Sequence, residues 1–117
     1  MPCSTDYATY VLRVCTDADS YSAKATSIDC VASYGGGTIA TFDYSMTIDV
    51  WNGSKWVANE TKKGSFSHST PKKVFKLSNQ KSLKKGSNSV RVRLKTKNRY
   101  TNVTSSIKTP AFIVKRK

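Results

Sequence analysis

A chain of 117 residues, 38% of them hydrophobic, suits one domain that can bury a core without metals or staples. Its net charge of +13 points to an anionic partner, and no apolar run approaches the roughly 18 residues of a spanning helix. Ser and Thr are abundant while Ala, Leu and Glu are scarce, which favours strands over helices.

The polar start Met1-Pro2-Cys3 has no signal-peptide pattern and is compatible with a start codon added to a mature chain. Residues 8–15 (ATYVLRVC) read as a first strand. Residues 16–20 (TDADS) form a loop of residues that bond their own backbone. Asp17 and Asp19 have the spacing that opens a calcium loop, but neither the Gly nor the terminal Glu of such a loop follows, so no metal is expected. Residues 22–34 read as a second strand with Ile28, Cys30 and Ala32 on one face. The Gly35-Gly36-Gly37 run lacks the GK[ST] of a phosphate loop and reads as a strand connection.

Residues 38–51 (TIATFDYSMTIDVW) are the longest β-prone run. Met46, Ile48 and Val50 share one face, Thr47, Asp49 and Trp51 the other. Asn52-Gly53 then marks a hairpin turn, with Lys55-Trp56-Val57 starting the return strand. Trp51 and Trp56 flank this turn; hairpin or core packing is favoured over a carbohydrate-stacking pair. Residues 59–71 read as a loop, residues 74–77 as a short strand, and residues 78–89 as a Lys/Ser/Gly-rich connection.

Strict alternation over residues 90–97 (VRVRLKTK) predicts a half-buried strand. Val90, Val92, Leu94 and Thr96 would face the core, and Arg91, Arg93, Lys95 and Lys97 would form an outward row about 20 Å long. A turn over residues 98–105 and a terminal strand over 107–114, broken by Pro110 near its start and so expected at a sheet edge, complete the chain. The pattern predicts an all-β, antiparallel sandwich of about seven strands with no substantial helix, one domain over residues 1–117.

The segment Leu83-Lys84-Lys85-Gly86-Ser87-Asn88-Ser89-Val90-Arg91-Val92 resembles the turn into the penultimate strand of immunoglobulin-like and fibronectin type III-like sandwiches. The Lys-over-Arg, Ser/Thr-rich character is similar to that of small extracytoplasmic bacterial sandwich domains. The resemblance implies an immunoglobulin-like fold.

The charge is split along the chain. Residues 1–61 hold three basic and all seven acidic side chains (3 − 7 = −4), whereas residues 62–117 hold the other seventeen basic ones and no acid, or +17. A generic solvated surface interleaves both signs. A polyanion site is therefore expected on Lys72, Lys73, Lys76, Lys81, Lys84, Lys85, Arg91, Arg93, Lys95, Lys97 and Arg99.

Cys3, Cys15 and Cys30 lack zinc-ligand spacing, and the single His68 lies far away. One disulfide with one spare thiol is the simplest extracellular arrangement, with Cys15–Cys30 and Cys3–Cys30 both open; a lipid-bearing N-terminal cysteine is a weaker alternative. Three sequons, at Asn52, Asn59 and Asn102, imply nothing in so Ser/Thr-rich a chain. No catalytic residue is assigned: His68 has no acid after it in the chain, Glu60 is the only Glu, and no nucleophile elbow or nucleotide fingerprint occurs. No cofactor is expected.

The predicted function is a secreted or cell-surface binding module, not an enzyme. It would dock on anionic cell-wall polymer or membrane through a basic sheet face, with an antimicrobial or toxin-like role compatible. The alternative is a nucleic-acid-binding or phage structural protein of the same fold. Few aromatics accompany the cations of the basic half, and single-strand binders need such stacking rings.

Overall fold

The computed structural model describes residues 3–4, 12–36 and 40–117. The architecture is all-β, two sheets enclosing one core, as alternation predicts. Nine strands are present among the described residues: β1 (Leu12–Thr16), β2 (Ser20–Tyr21), β3 (Ser27–Tyr34), β4 (Phe42–Trp51), β5 (Trp56–Phe66), β6 (Lys73–Lys76), β7 (Gly86–Asn98), β8 (Thr104–Lys108) and β9 (Phe112–Arg116). A three-residue 3-10 turn over Leu77–Asn79 is the only helical element among them. The N-terminal parts of the first and third expected strands, residues 8–11 and 38–39, lie outside the described residues.

The smaller sheet has the order β1-β3-β6, and the larger has β2-β9-β7-β4-β5 with β8 also paired to β7. The chain changes sheets between β1 and β2, and β2 runs parallel to β9. Two expectations are thereby corrected: the strands number nine rather than about seven, and one pair is parallel. The excess over seven comes from short pieces. The end of the expected loop over 16–20, with Tyr21, forms the short β2 in the other sheet, and Pro110 divides the last strand into β8 and β9. Both pieces lie along the same side of β7, β9 against its first half and β8 against its second. The break is sealed by Thr109, whose Oγ1 accepts the Val92 N–H at 3.0 Å while its own N–H donates to the Val92 carbonyl at 2.9 Å. Pro110 thus marks a division between strands rather than an edge; β9 sits between β2 and β7.

β7 alternates as predicted. Val90, Val92, Leu94 and Thr96 are buried, and the residues between them point outward. Val90, Val92 and Leu94 join Met46, Ile48 and Val50 of β4, Ile28, Cys30 and Ala32 of β3, Val14 of β1 and Phe75 of β6 in the core. Leu83 packs against that core. Asn88 is buried where the chain enters β7; its Nδ2 donates to the carbonyls of Lys84, Gly86 and Val114, and its Oδ1 accepts the Lys84 N–H.

The Asn52-Gly53 hairpin forms where expected. Gly53 has φ of 100°, a conformation that costs a side chain dearly, and Asn52 Oδ1 accepts the N–H groups of Ser54 and Lys55, each at 2.9 Å. The return strand β5 then runs to Phe66, so the loop expected over 59–71 is mostly strand. A register shift between Thr47 and Asp49 interrupts the β4–β5 pairing, which hides the alternation. Beyond it the inward positions are Lys62, with its ammonium 5.6 Å from the Phe75 ring centroid, and Gly64. A Cβ on Gly64 would sit 3.0 Å from the Tyr44 ring, so glycine here makes room for a cross-strand tyrosine.

Candidate anion-binding face

β4 and β7 pair antiparallel with Asp43 opposite Lys97, Ser45 opposite Lys95, Thr47 opposite Arg93 and Asp49 opposite Arg91. All these side chains lie on the outer face of the larger sheet, since Tyr44, Met46, Ile48, Val92 and Leu94 between them are buried inward. β5 adds Lys63 beside Ser45. β8 adds Thr104, Ser106 and Lys108 beside Lys97, Lys95 and Arg93. β9 adds Lys115 beside Ser87.

Only two acids occupy this face in the pairing above, and arginines hold both. Asp49, with its side chain 2% exposed, accepts from Arg91 Nε at 3.0 Å and from Arg93 Nε and Nη2 at 3.0 and 3.2 Å. The Arg91 guanidinium also lies 4.4 Å from the Trp56 ring centroid. The expected free row of four cations is therefore corrected. Arg91 and Arg93 do point outward, but they are partly buried and share one carboxylate; of the four, only Lys95 and Lys97 are exposed. Asp43 accepts from Arg99 Nη2 at 2.7 Å and Nε at 3.0 Å. The hydrogen bond from Arg99, and then the charges of Arg99 and Lys97, hold its carboxyl below the usual carboxylate range.

Beside these pairs, Lys63, Lys95, Lys97, Lys108 and Lys115 make no ion pair with any described residue. Lys63, Lys95 and Lys97 line an open groove of about 610 Å³ together with hydroxyl-bearing Ser45, Thr104 and Ser106 and with Asp43. Such an arrangement offers ammonium and hydroxyl donors to an anion lying on the sheet.

The remaining expected cations are elsewhere. Lys72, Lys73 and Lys76 belong to β6 or the residue before it, in the smaller sheet, and Lys72 lies 3.6 Å from Asp29. Lys81, Lys84 and Lys85 occupy the connection into β7. The predicted single footprint is thus distributed over both sheets and a loop. Lys63, Lys108 and Lys115 were missed. Alternation around Ile107 and Val114 could have oriented the last two, but nothing local places Lys63 in the same row as Lys95, across Ser45.

The cysteine expectation is also corrected. Cys3 and Cys15 form the disulfide, and Cys30 is free and buried. β1 and β3 pair with Cys15 opposite Val31 and Thr16 opposite Cys30. Cys15 therefore points away from the core and Cys30 into it, and two side chains on opposite faces of a sheet cannot bond. Burial, then the charges of Asp17 and Asp29, push the Cys30 thiol up to about 12. Asp17 itself accepts the Tyr21 hydroxyl and the Asp29 N–H, so it braces the loop after β1.

Trp51 and Trp56 face each other across the hairpin with ring centroids 5.4 Å apart at 62°, a hairpin contact on the outer face rather than a core pair. His68 is exposed in the β5–β6 connection; its carbonyl accepts the Tyr34 N–H. Asp43 and Asp49, the acids that a triad would have to recruit, are both engaged by arginines.

A family model described as the YqgA MG2 macroglobulin domain matches residues 3–115. No curated protein and no solved structure matches the chain at a significant level.

Proposed function

The chain belongs to the YqgA MG2 macroglobulin domain family, with an immunoglobulin-like fold, and on that premise we propose that it is a non-enzymatic binding module of the cell envelope. It docks on anionic envelope polymer through the outer face of its larger sheet. The observation that carries this reading is the imbalance on that face: both acids are held by arginines, while Lys63, Lys95, Lys97, Lys108 and Lys115 make no ion pair among the described residues. Lys63, Lys95 and Lys97 line one groove with the hydroxyls of Ser45, Thr104 and Ser106. The Cys3–Cys15 disulfide supports a secreted or cell-surface location, because such bonds persist in oxidising compartments. Nucleic acid is the less favoured partner: the one aromatic pair on the face lies at the hairpin end, with Trp56 covered by Arg91, and offers no row of stacking rings. Accumulation on an anionic surface also serves an antimicrobial or toxin-like role, which growth inhibition by the purified domain would reveal.

The test compares two triple charge reversals for co-sedimentation with purified anionic envelope polymer. Lys63, Lys95 and Lys97 to Glu should abolish binding, while Lys72, Lys76 and Lys81 to Glu should weaken it far less. Parent binding should fall steeply with salt, as screening shortens the reach of each charge to about 8 Å near physiological ionic strength. Equal losses in the two triples, or binding that survives high salt, would overturn docking by this face.

A further inference from the structure

Two neighbouring cross-strand rows on the outer face repeat one plan with one difference. The first runs Lys63–Ser45–Lys95–Ser106 across β5, β4, β7 and β8. The second runs Ser65–Asp43–Lys97–Thr104 across the same strands. Strands lie about 4.8 Å apart, so Ser45 and Asp43 each sit one strand away from a lysine on β7. In the second row the protein supplies its own anion: the Asp43 carboxylate, which Arg99 clasps at 2.7 and 3.0 Å. In the first row the corresponding position holds only a hydroxyl, and Lys63 and Lys95 on either side of it have no ion pair among the described residues. The groove of about 610 Å³ spans both rows.

We infer that Ser45, with Lys63 and Lys95 on either side of it, seats one phosphate-type oxyanion, and that Asp43 fills the adjoining seat from within the protein. This rests on the docking face proposed above and adds the chemistry of its ligand. The guanidiniums nearby are already engaged, Arg91 and Arg93 by Asp49 and Arg99 by Asp43. Arg93 and Arg99 spend Nε and Nη2 on these carboxylates, and Arg91 spends Nε while lying over the Trp56 ring, so the Nε edges that match a carboxylate are taken. What remains are ammonium groups, each a point charge with three rotatable donors, and hydroxyls that turn to suit. Donors of this kind impose no plane, so they suit a tetrahedral phosphate ester better than a flat carboxylate. The low carboxyl pKa of Asp43, set first by the Arg99 hydrogen bond, agrees with a position built to stabilise negative charge. Because Asp43 repels a second anion, one phosphate per domain enters the groove.

The test exchanges the two rows. Ser45→Asp places a carboxylate in the first seat, as Asp43 does in the second; Asp43→Ser empties the second. Both residues face solvent, and thermal melting checks that each variant folds. The probes are an inorganic polyphosphate chain and polyglutamate of matched charge at low salt, and phosphatidylglycerol vesicles. The parent should prefer polyphosphate to polyglutamate. Ser45→Asp should weaken polyphosphate binding about tenfold or more, and Asp43→Ser should strengthen it several-fold. Loss on Ser45→Asp seen with the soluble chain assigns the phosphate to a polymer; the same loss seen only with vesicles assigns it to a lipid headgroup. Unchanged binding in Ser45→Asp, or no preference between the two soluble chains, would overturn the phosphate seat while leaving charge-driven docking intact. A parent that binds none of the three probes would refute the docking face itself.

Discussion

Replacing Asp49 by Ala removes the one carboxylate lying between two partly buried guanidiniums. The side chain of Asp49 is 2% exposed, and those of Arg91 and Arg93 are 18% and 26% exposed. Three charge-assisted hydrogen bonds vanish with it, and two like charges on neighbouring outward positions of β7 lose their common counter-ion. Removing one partner of a fully buried ion pair costs about 3–5 kcal/mol. Both arginines retain a route to water, so the lower end applies, about 3 kcal/mol. For a domain of this size that corresponds to a fall in Tm of about 12 °C. Thermal and urea unfolding of Asp49→Ala, read by circular dichroism, measure it. Substituting Asp49 by Leu together with Arg91 and Arg93 by Met should recover most of the loss, because apolar replacement of a whole buried ionic group is often neutral or better. A Tm for Asp49→Ala within about 2 °C of the parent would show that the arginines are solvated on their own, and that they belong with the free cations of the face after all.

Four further outcomes are expected. Val92→Asp should unfold the domain, since Val92 is fully buried and an unpaired buried carboxylate costs several kcal/mol; parent-like melting would refute the β7 register. Thiol labelling should find no reactive cysteine in the native protein at neutral pH and one after denaturation without reductant, because Cys30 is buried and Cys3 is bonded to Cys15. The Cys30 thiol is raised from 9.0 to about 12 on folding, so its contribution to stability is complete below 9.0 and is lost as pH rises towards about 12. The Tyr21 hydroxyl, raised by burial and by its hydrogen bond to Asp17, adds loss of the same sign. Urea melts across that window should show a steeper decline in the parent than in Cys30→Ala. Reduction of Cys3–Cys15, which closes a loop of sequence separation 12, should lower stability by up to about 3 kcal/mol, measured by urea unfolding with and without reductant.

Much of the all-β character was legible in local pattern. A strand's faces repeat every second residue, so VRVRLKTK announced its buried and exposed sides, and Ile28, Cys30 and Ala32 were correctly put on one face. Asn52-Gly53 announced its turn because few residue pairs accept that backbone. β5 escaped because its pairing register shifts and its inward positions include Lys62 and Gly64, which pack against aromatic rings contributed by other strands.

The charge surplus and the orientation of β7 are properties of the chain itself, since the first is set by composition and the second by neighbours two residues apart. Which charges cancel is not. Asp49 is 42 residues from Arg91 and Asp43 is 56 from Arg99; only the pairing of β4 with β7 brings them together. The same holds for the bridge that brings Cys3 to Cys15, and for Lys63, which β4 alone places one strand from Ser45 and two from Lys95. Periodicity tells a side chain which face to take, but its neighbours on that face come from strands distant in sequence, and tertiary structure decides whether a cation meets a carboxylate or solvent.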